Sequence, residues 1–410
     1  MSDIAGGSFS SLMAHRSFAL LWCGRVATVA AYQMQAVAVG WQIYDLTNNP
    51  LDLGIVGLVQ FVPVVGMALV IGQIVDRYDR RVVARTCQII KALCAAGFAL
   101  GTVGGWLNRE AMFALLFVTG TARAFEIPTM HALVTGLVPA SMLPRAVAAS
   151  ASANQTAIIC GPALGGFIYA LGPAAVYWSV TAAFVVASVL ISRIHADPRP
   201  LEKKPVSLET VFAGFAYIRS RPVILGAISL DLFAMLLGGV TALLPIFARD
   251  ILETGPWGLG LLRSAPALGA LAMTVLLARI SLEHRVGHVL FASLAAFGLS
   301  ILVFAVSRSL PLSMLALVVY GGSDAISVVI RHSLVQTRTP NEMLGRVLTV
   351  NSLCTGTSST LGEFRAGLVA AGFGVVAAVV AGGIGALLVT VIWMRAFPEL
   401  PRINSLVRDH

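Results

Sequence analysis

Ten ionisable side chains sit inside long apolar stretches of this 410-residue sequence: Arg25, Lys91, Arg123, Glu126, Asp231, Arg263, Asp324, Arg331, Glu363 and Arg365. A charge at membrane depth costs about 3 kcal/mol or more unless it is paired or wetted, so each one marks a pathway or a partner. Arg123 and Glu126 are three residues apart, on one helical face. Two readings fit them: a permanent local ion pair, or a carboxylate free to carry protons. Low dielectric disfavours a bare carboxylate, and a proton is its readiest neutraliser. Glu126, Asp324 and Asp231 are therefore the proton-coupling candidates. Arg25 lies about eight residues into the first apolar run and Asp231 about eight residues into the seventh. Matched depth and opposite sign predict that these two pair. The candidates for lining a substrate cavity are Arg25, Gln33, Arg123, Asn154, Gln155, Phe233, Arg263 and Tyr320, polar or aromatic groups in apolar surroundings.

The other buried charges read more plainly. Lys91 is shallow enough to snorkel to the inner surface. Glu363 and Arg365 serve either an outer gate or an interface. His131 and His332 occupy repeat-matched positions, which either a proton relay or shared ancestry explains. The five cysteines, Cys23, Cys87, Cys94, Cys160 and Cys354, lie in apolar runs with no metal-ligand spacing and read as small packing residues.

These groups need elements to hold them. A bilayer core takes about 20 apolar residues per helix. Twelve runs qualify: 18–44, 52–75, 82–106, 111–137, 146–171, 173–194, 223–248, 255–280, 288–306, 310–335, 343–371 and 374–397. The sequence also repeats itself. At an offset of 201 residues, Gly120, His131, Leu133, Val134, Pro139, Leu143 and Arg145 recur as Gly321, His332, Leu334, Val335, Pro340, Leu344 and Arg346. At an offset of 203, Gly57, Pro63 and Gly66 recur as Gly260, Pro266 and Gly269. The domain reading is a six-helix bundle over 1–194, a cytoplasmic linker over 195–222, a second six-helix bundle over 223–397, and a tail over 398–410. Six spans per copy make the copies parallel repeats, with a cavity expected between them. Within the linker, Leu208, Val211, Phe212 and Phe215 fall at helical spacing behind Ser207, which predicts a short amphipathic helix on the membrane surface.

Composition agrees with a membrane protein. The chain is 57% apolar and 11% charged, with mean hydropathy +0.86, where a soluble domain carries roughly 25% charged residues. The first run is too long and too polar for a cleavable signal. The net charge of +9 is an orientation signal. With both termini cytoplasmic, nineteen Lys and Arg residues fall on the inner side and three, Arg109, Arg249 and Arg308, on the outer. No nucleic-acid partner is needed to explain it. There is no phosphate-binding G-x-x-x-x-G-K-[ST], no His-Glu-x-x-His and no G-x-S-x-G. No enzyme activity, cofactor or metal is expected.

Two motifs remain. Gly72-Gln-Ile-Val-Asp76-Arg77-Tyr-Asp-Arg80-Arg81 closes the second run, at the inner mouth. Its carboxylate can cap a helix start, and its arginines can bridge carboxylates or helix ends, so it either gates or only signals topology. Gly161-Pro162-Ala-Leu-Gly165-Gly166 in the fifth run removes side chains so that helices touch backbone to backbone, and Pro162 permits a bend. The first motif resembles the cytoplasmic loop of the major facilitator superfamily. The second is similar to the G-P-x-x-G-G motif of its exporter branches, with Ala157 where a glycine is usual. Phe18 to Arg25 and Gln336 to Arg346 resemble the enterobactin-exporter and macrolide-efflux branch.

That resemblance implies an all-α, twelve-helix transporter of two pseudo-symmetric bundles in a bacterial cytoplasmic membrane. It implies export of a siderophore or an amphipathic drug-like compound by proton antiport with alternating access, with a monomer sufficing. The partners are then a small-molecule substrate, protons and the bilayer. Uptake of a polar solute, or a transport-inactive scaffold or receptor, are the competing readings.

Overall fold

The computed structural model of the chain describes residues 9–67, 70–71, 74, 77–195, 208–279 and 285–405. Among them the regular structure is helical throughout. The helices are α1 (Phe9–Ala14), α2 (Arg16–Thr47), α3 (Pro50–Gly66), α4 (Arg80–Val103), α5 (Arg109–Leu137), α6 (Leu143–Tyr169), α7 (Pro173–Ser192), α8 (Leu208–Ser220), α9 (Pro222–Gly238), α10 (Gly255–Leu277), α11 (Val286–Val306), α12 (Leu310–Arg338), α13 (Asn341–Phe373) and α14 (Val375–Ala396). Eight helical segments among the described residues are long and apolar enough to cross a bilayer: α4, most of α5, α7, the segment from Pro222 to Ile251, α10, α11, α12 and α14. The long helices α2, α6 and α13 are diluted by Gln, Asn, Ser and Thr.

The chain separates into two compact units. The first comprises residues up to Leu46 and Val59–Pro205. In it α4 runs along α7 and α5. Phe98 of α4 stacks on Tyr177 of α7 with centroids 5.1 Å apart. The Tyr177 hydroxyl donates to Gln42 of α2 at 2.7 Å, and Gln42 donates to Thr102 of α4 at 3.1 Å. A buried polar thread thus ties three helices, with each group satisfying the next.

Gly161 and Gly165 of the Gly161–Gly166 motif stand against α2. A Cβ placed on Gly161 would come within 2.7 Å of Gln33 Cβ, and one on Gly165 within 2.8 Å of Met34 Cα. Gly161, Pro162, Gly165 and Gly166 are all buried. Bare backbone on α6 is what lets it lie against α2.

The second unit comprises Thr47–Leu58 and Val206 onward. In it α12 packs on α10 and α11, α14 packs on α11, and α13 packs on α9. The first turns of α3 lie against α13: a Cβ on Gly54 would reach 3.1 Å from Phe364 Cα. The expected run over 223–248 is interrupted. α9 stops at Gly238, and short turns lead through Leu244–Ile246 to a π-helical turn at Phe247–Ile251. Pro245 has no N–H to give, and Gly239 sits against the Gly362 backbone, where a Cβ would be 2.9 Å from the carbonyl carbon. The freed α9 carbonyls are met by Arg365, whose Nε donates to Leu236 O at 2.9 Å and Nη2 to Leu237 O at 2.5 Å. Glu363, two residues before Arg365, accepts from Thr241 at 2.7 Å. These two charges therefore close a helix end.

The two copies share a packing device. In the first unit Gly120 of α5 meets the backbone of Gln60 on α3, and in the second Gly321 of α12 meets the carbonyl of Pro266 on α10. Gly120 and Gly321 are repeat partners, and each serves to bring the same pair of helices together. The linker helix is present as α8. Its Phe212 and Phe215 are exposed, Ile218 is buried, and Gly214 sits against the start of α13. Ser207 lies outside the described residues.

Candidate functional site

The first unit carries a half-open cavity of about 580 Å³, lined by residues of α2, α4, α5 and α6. Arg25, Gln33, Arg123, Glu126, Asn154 and Gln155, six of the sequence candidates, line it together with Tyr32, Lys91 and His131. They come together because α6 is drawn onto α2 by the glycine motif. Gln33 and Asn154 then face one space from neighbouring helices.

The ion pairing differs from the expectation. Glu126 is not held by Arg123. Its Oε2 accepts from Lys91 Nζ at 2.6 Å and its Oε1 from Gln88 Nε2 at 2.6 Å, both on α4. Lys91 is 1% exposed and does not snorkel; its ammonium also lies 4.4 Å from the centroid of the Phe184 ring. Within one helix two side chains must bend together across a turn, whereas α4 presents a donor straight at the carboxylate. Arg123 turns instead to Tyr32. Its Nη1 donates to the hydroxyl at 2.8 Å, and its guanidinium carbon lies 4.1 Å from the ring centroid. The Tyr32 hydroxyl in turn donates to Gln60 Oε1 at 3.1 Å.

The second unit carries a separate buried cluster. Asp231 of α9 is ion-paired with Arg331 of α12 and accepts from Thr355 of α13 at 2.8 Å. Arg331 also donates through Nε to the Ser327 carbonyl and hydroxyl, at 3.1 and 3.0 Å. Its Nη2 stands 3.8 Å from Asp324. Asp231 and Arg331 are buried, while the Asp324 side chain keeps 30% of its surface. A small void of about 70 Å³ adjoins Asp231, Arg331, His332, Asn351 and Thr355. Asp231 is thus engaged by its own unit. That pairing was hidden from the sequence, because residues about 100 positions apart meet only once α9 and α12 pack.

The remaining candidates fall outside these two cavities. Tyr320 stacks on Phe297 at 4.5 Å, Phe233 lies 5.0 Å from Trp393, and Arg263 is half-buried on α10. Of the loop motif, Gly72 and Asp76 lie outside the described residues. Arg77 and Arg80 are described, and Arg80 opens α4. Arg81 grips Asp79 at 2.8 Å and donates to the Ile194 carbonyl at 3.2 Å. The carboxylate that caps α4 is Asp79, which accepts the Arg81 backbone N–H at 2.9 Å. Its place one residue before a helical run was the signal for it. Among the described residues no group of His, Cys, Asp and Glu is arranged to hold a metal.

Comparison with known proteins fits this architecture. Over 407 residues the chain is 25% identical to the enterobactin exporter EntS of Escherichia coli O1:K1, spanning 97% of this chain and 96% of that protein. The enterobactin exporter EntS of Shigella boydii serotype 18 matches with the same figures. A bacterial homologue of the human lysosomal transporter Spinster, in an inward-facing and occupied conformation, has a TM-score of 0.73 at 13% identity, over 95% of this chain and 97% of that one. The nucleoside transporter NupG has 0.70 at 16%, over 93% and 99%. A bacterial homologue of the iron transporter ferroportin has 0.69 at 18%, over 94% and 99%. These three carry the fold. The model of the transmembrane secretion effector family matches residues 7–409, so the chain belongs to that family of major facilitator transporters and is a transporter rather than an enzyme.

Proposed function

We propose that the protein is a proton-coupled exporter of a small organic molecule across a bacterial cytoplasmic membrane. In this reading twelve spans form two six-helix bundles, both termini are cytoplasmic, and one copy works alone by alternating access. Its relatives are named enterobactin exporters, which supports a siderophore or an amphipathic drug-like compound as cargo.

The observation that carries the proton coupling is the sharing of Arg331 by two acids. One cation faces Asp231 and Asp324, which leaves one negative charge over in a low-dielectric setting. Asp231 is the anchored member, held by Arg331 and by Thr355. Asp324 stands farther off and keeps access to its surroundings. It is the member free to take and release a proton. Glu126, with both oxygens engaged by α4, acts as a fixed counter-ion to Lys91.

Inverted membrane vesicles with an imposed pH gradient test this. Asp324→Asn should abolish gradient-driven accumulation while exchange of cargo against cargo survives. Glu126→Gln should impair both equally. Full gradient-driven uptake by Asp324→Asn would remove that carboxylate from the mechanism.

A further inference from the structure

We infer that the cavity of the first unit is a binding site for an organic anion, held between Arg25 and Arg123. The inference rests on the transporter reading and names the class of its cargo. It follows from counting charge around one space. Arg25, Lys91 and Arg123 line the cavity, and Glu126 is the one acid among the described lining residues. Both Glu126 oxygens are taken, by Lys91 and Gln88, so that pair is neutral and closed. Arg25 receives only a longer-range attraction from Glu126, and among the described residues it makes no hydrogen bond or ion pair. Arg123 is positioned by a phenol, which orients the guanidinium without cancelling its charge. Of its five N–H donors, one is committed to Tyr32. Two cations thus stand over a space in which no described lining residue offers a free acid to answer them. An internal counter-ion would have been the simplest way to keep them in a membrane helix. The vacancy in charge suits an oxyanion supplied by the ligand.

The rest of the lining fits an organic body behind that charge. Val29, Ile127, Met130 and Ile158 give apolar walls. Gln33 and Asn154 offer amides that make no hydrogen bond among the described residues, and they can meet hydroxyls or further carbonyls. A volume near 580 Å³ suits a molecule of drug-like size. A carboxylate, a phosphate or an ionised catechol presents the same chemistry to a guanidinium fork: two acceptor oxygens in one plane. An organic cation would meet two like charges, a repulsive element that excludes it.

Full-length protein in lipid nanodiscs would be titrated with carboxyfluorescein as the anionic probe and ethidium as the cationic one, by fluorescence anisotropy. Carboxyfluorescein should bind the parent, and Arg25→Gln and Arg123→Gln should each weaken it about ten-fold or more, the loss of a charge-assisted contact. Arg308→Gln, an exposed arginine elsewhere, should leave it unchanged. The double variant Arg25→Glu with Arg123→Glu should bind ethidium in preference, a gain that a misfolded protein could not show. Carboxyfluorescein binding the parent no tighter than ethidium, or surviving both glutamine variants, would overturn the inference. Vesicle transport of ethidium with carboxyfluorescein left behind would overturn it while leaving the exporter reading intact. Transport of neither probe, with anion-selective binding retained, would count against the exporter reading instead.

Discussion

Lys91 Nζ and Glu126 Oε2 stand 2.6 Å apart across the α4–α5 interface, both side chains almost wholly withdrawn from solvent. Breaking a buried pair leaves one uncompensated charge, which costs about 3–5 kcal/mol, whereas replacing both members with apolar groups is often neutral. Lys91→Met and Glu126→Leu should each lower thermal stability in detergent by that order. Lys91→Met combined with Glu126→Leu should recover most of the loss. A double-mutant cycle reads the coupling directly, and strictly additive losses would show that the two do not act as a pair.

The second cluster responds differently because one cation serves two acids. Arg331→Met should sharply reduce the yield of folded protein, since Asp231 is left buried with Thr355 alone. Adding Asp231→Asn should restore the yield, because the amide can still accept from Thr355. Size-exclusion chromatography of solubilised protein measures this. Failure of the double variant to recover would mean that Arg331 is needed for its bonds to Ser327 rather than for its charge.

How far could the sequence be read? Apolar runs located the helices, because a bilayer-length segment is a local property. Interruptions such as the break after Gly238 were missed, since they depend on the Gly362 backbone and Arg365 arriving from α13. The members of the first cavity were largely legible: polar groups in apolar runs had to face something other than lipid. Their partners were not. Three-residue spacing put Arg123 and Glu126 on one face, yet Tyr32 and Lys91 outbid that local pairing from neighbouring helices. Spacing along one helix says which groups are close in sequence, and only tertiary packing says which neighbour offers the straighter bond.

Glycine substitutions should separate packing from conformational freedom. At Gly165 a Cβ would press on the Met34 backbone at 2.8 Å, and backbone cannot step aside as a side chain can. Gly165→Ala should therefore destabilise by about 1–3 kcal/mol, the range for overpacking. It should also weaken ligand binding, because the α2–α6 wall of the cavity moves. Gly345 is helical and has nothing within 4 Å of the position a Cβ would take. Gly345→Ala should stabilise by about 0.5–1 kcal/mol through helix propensity. Thermal unfolding of the two variants side by side checks the opposite signs, and equal effects would refute the packing role of the motif.

Acid should loosen the start of α4. Asp79 caps that helix, and its carboxyl is held below its ordinary value of about 4 chiefly by the hydrogen bonds from the Arg81 side chain. A group whose folded value is depressed contributes stability that is present above the unfolded value and is lost as pH falls through the folded one. The contribution should thus be complete above about pH 4 and fade below it. With both side chains about a third exposed, solvent screening limits the ion-pair part to a few tenths of a kcal/mol. Amide exchange at Arg81 reports the cap itself. In the parent its protection should fall as pH is lowered through this window, after correction for intrinsic exchange. In Asp79→Asn the side-chain oxygen still accepts the N–H, so protection should be lower and flat with pH. In Asp79→Ala it should be lost at every pH. A pH-dependent loss persisting in the asparagine variant would place the titrating group elsewhere in the loop.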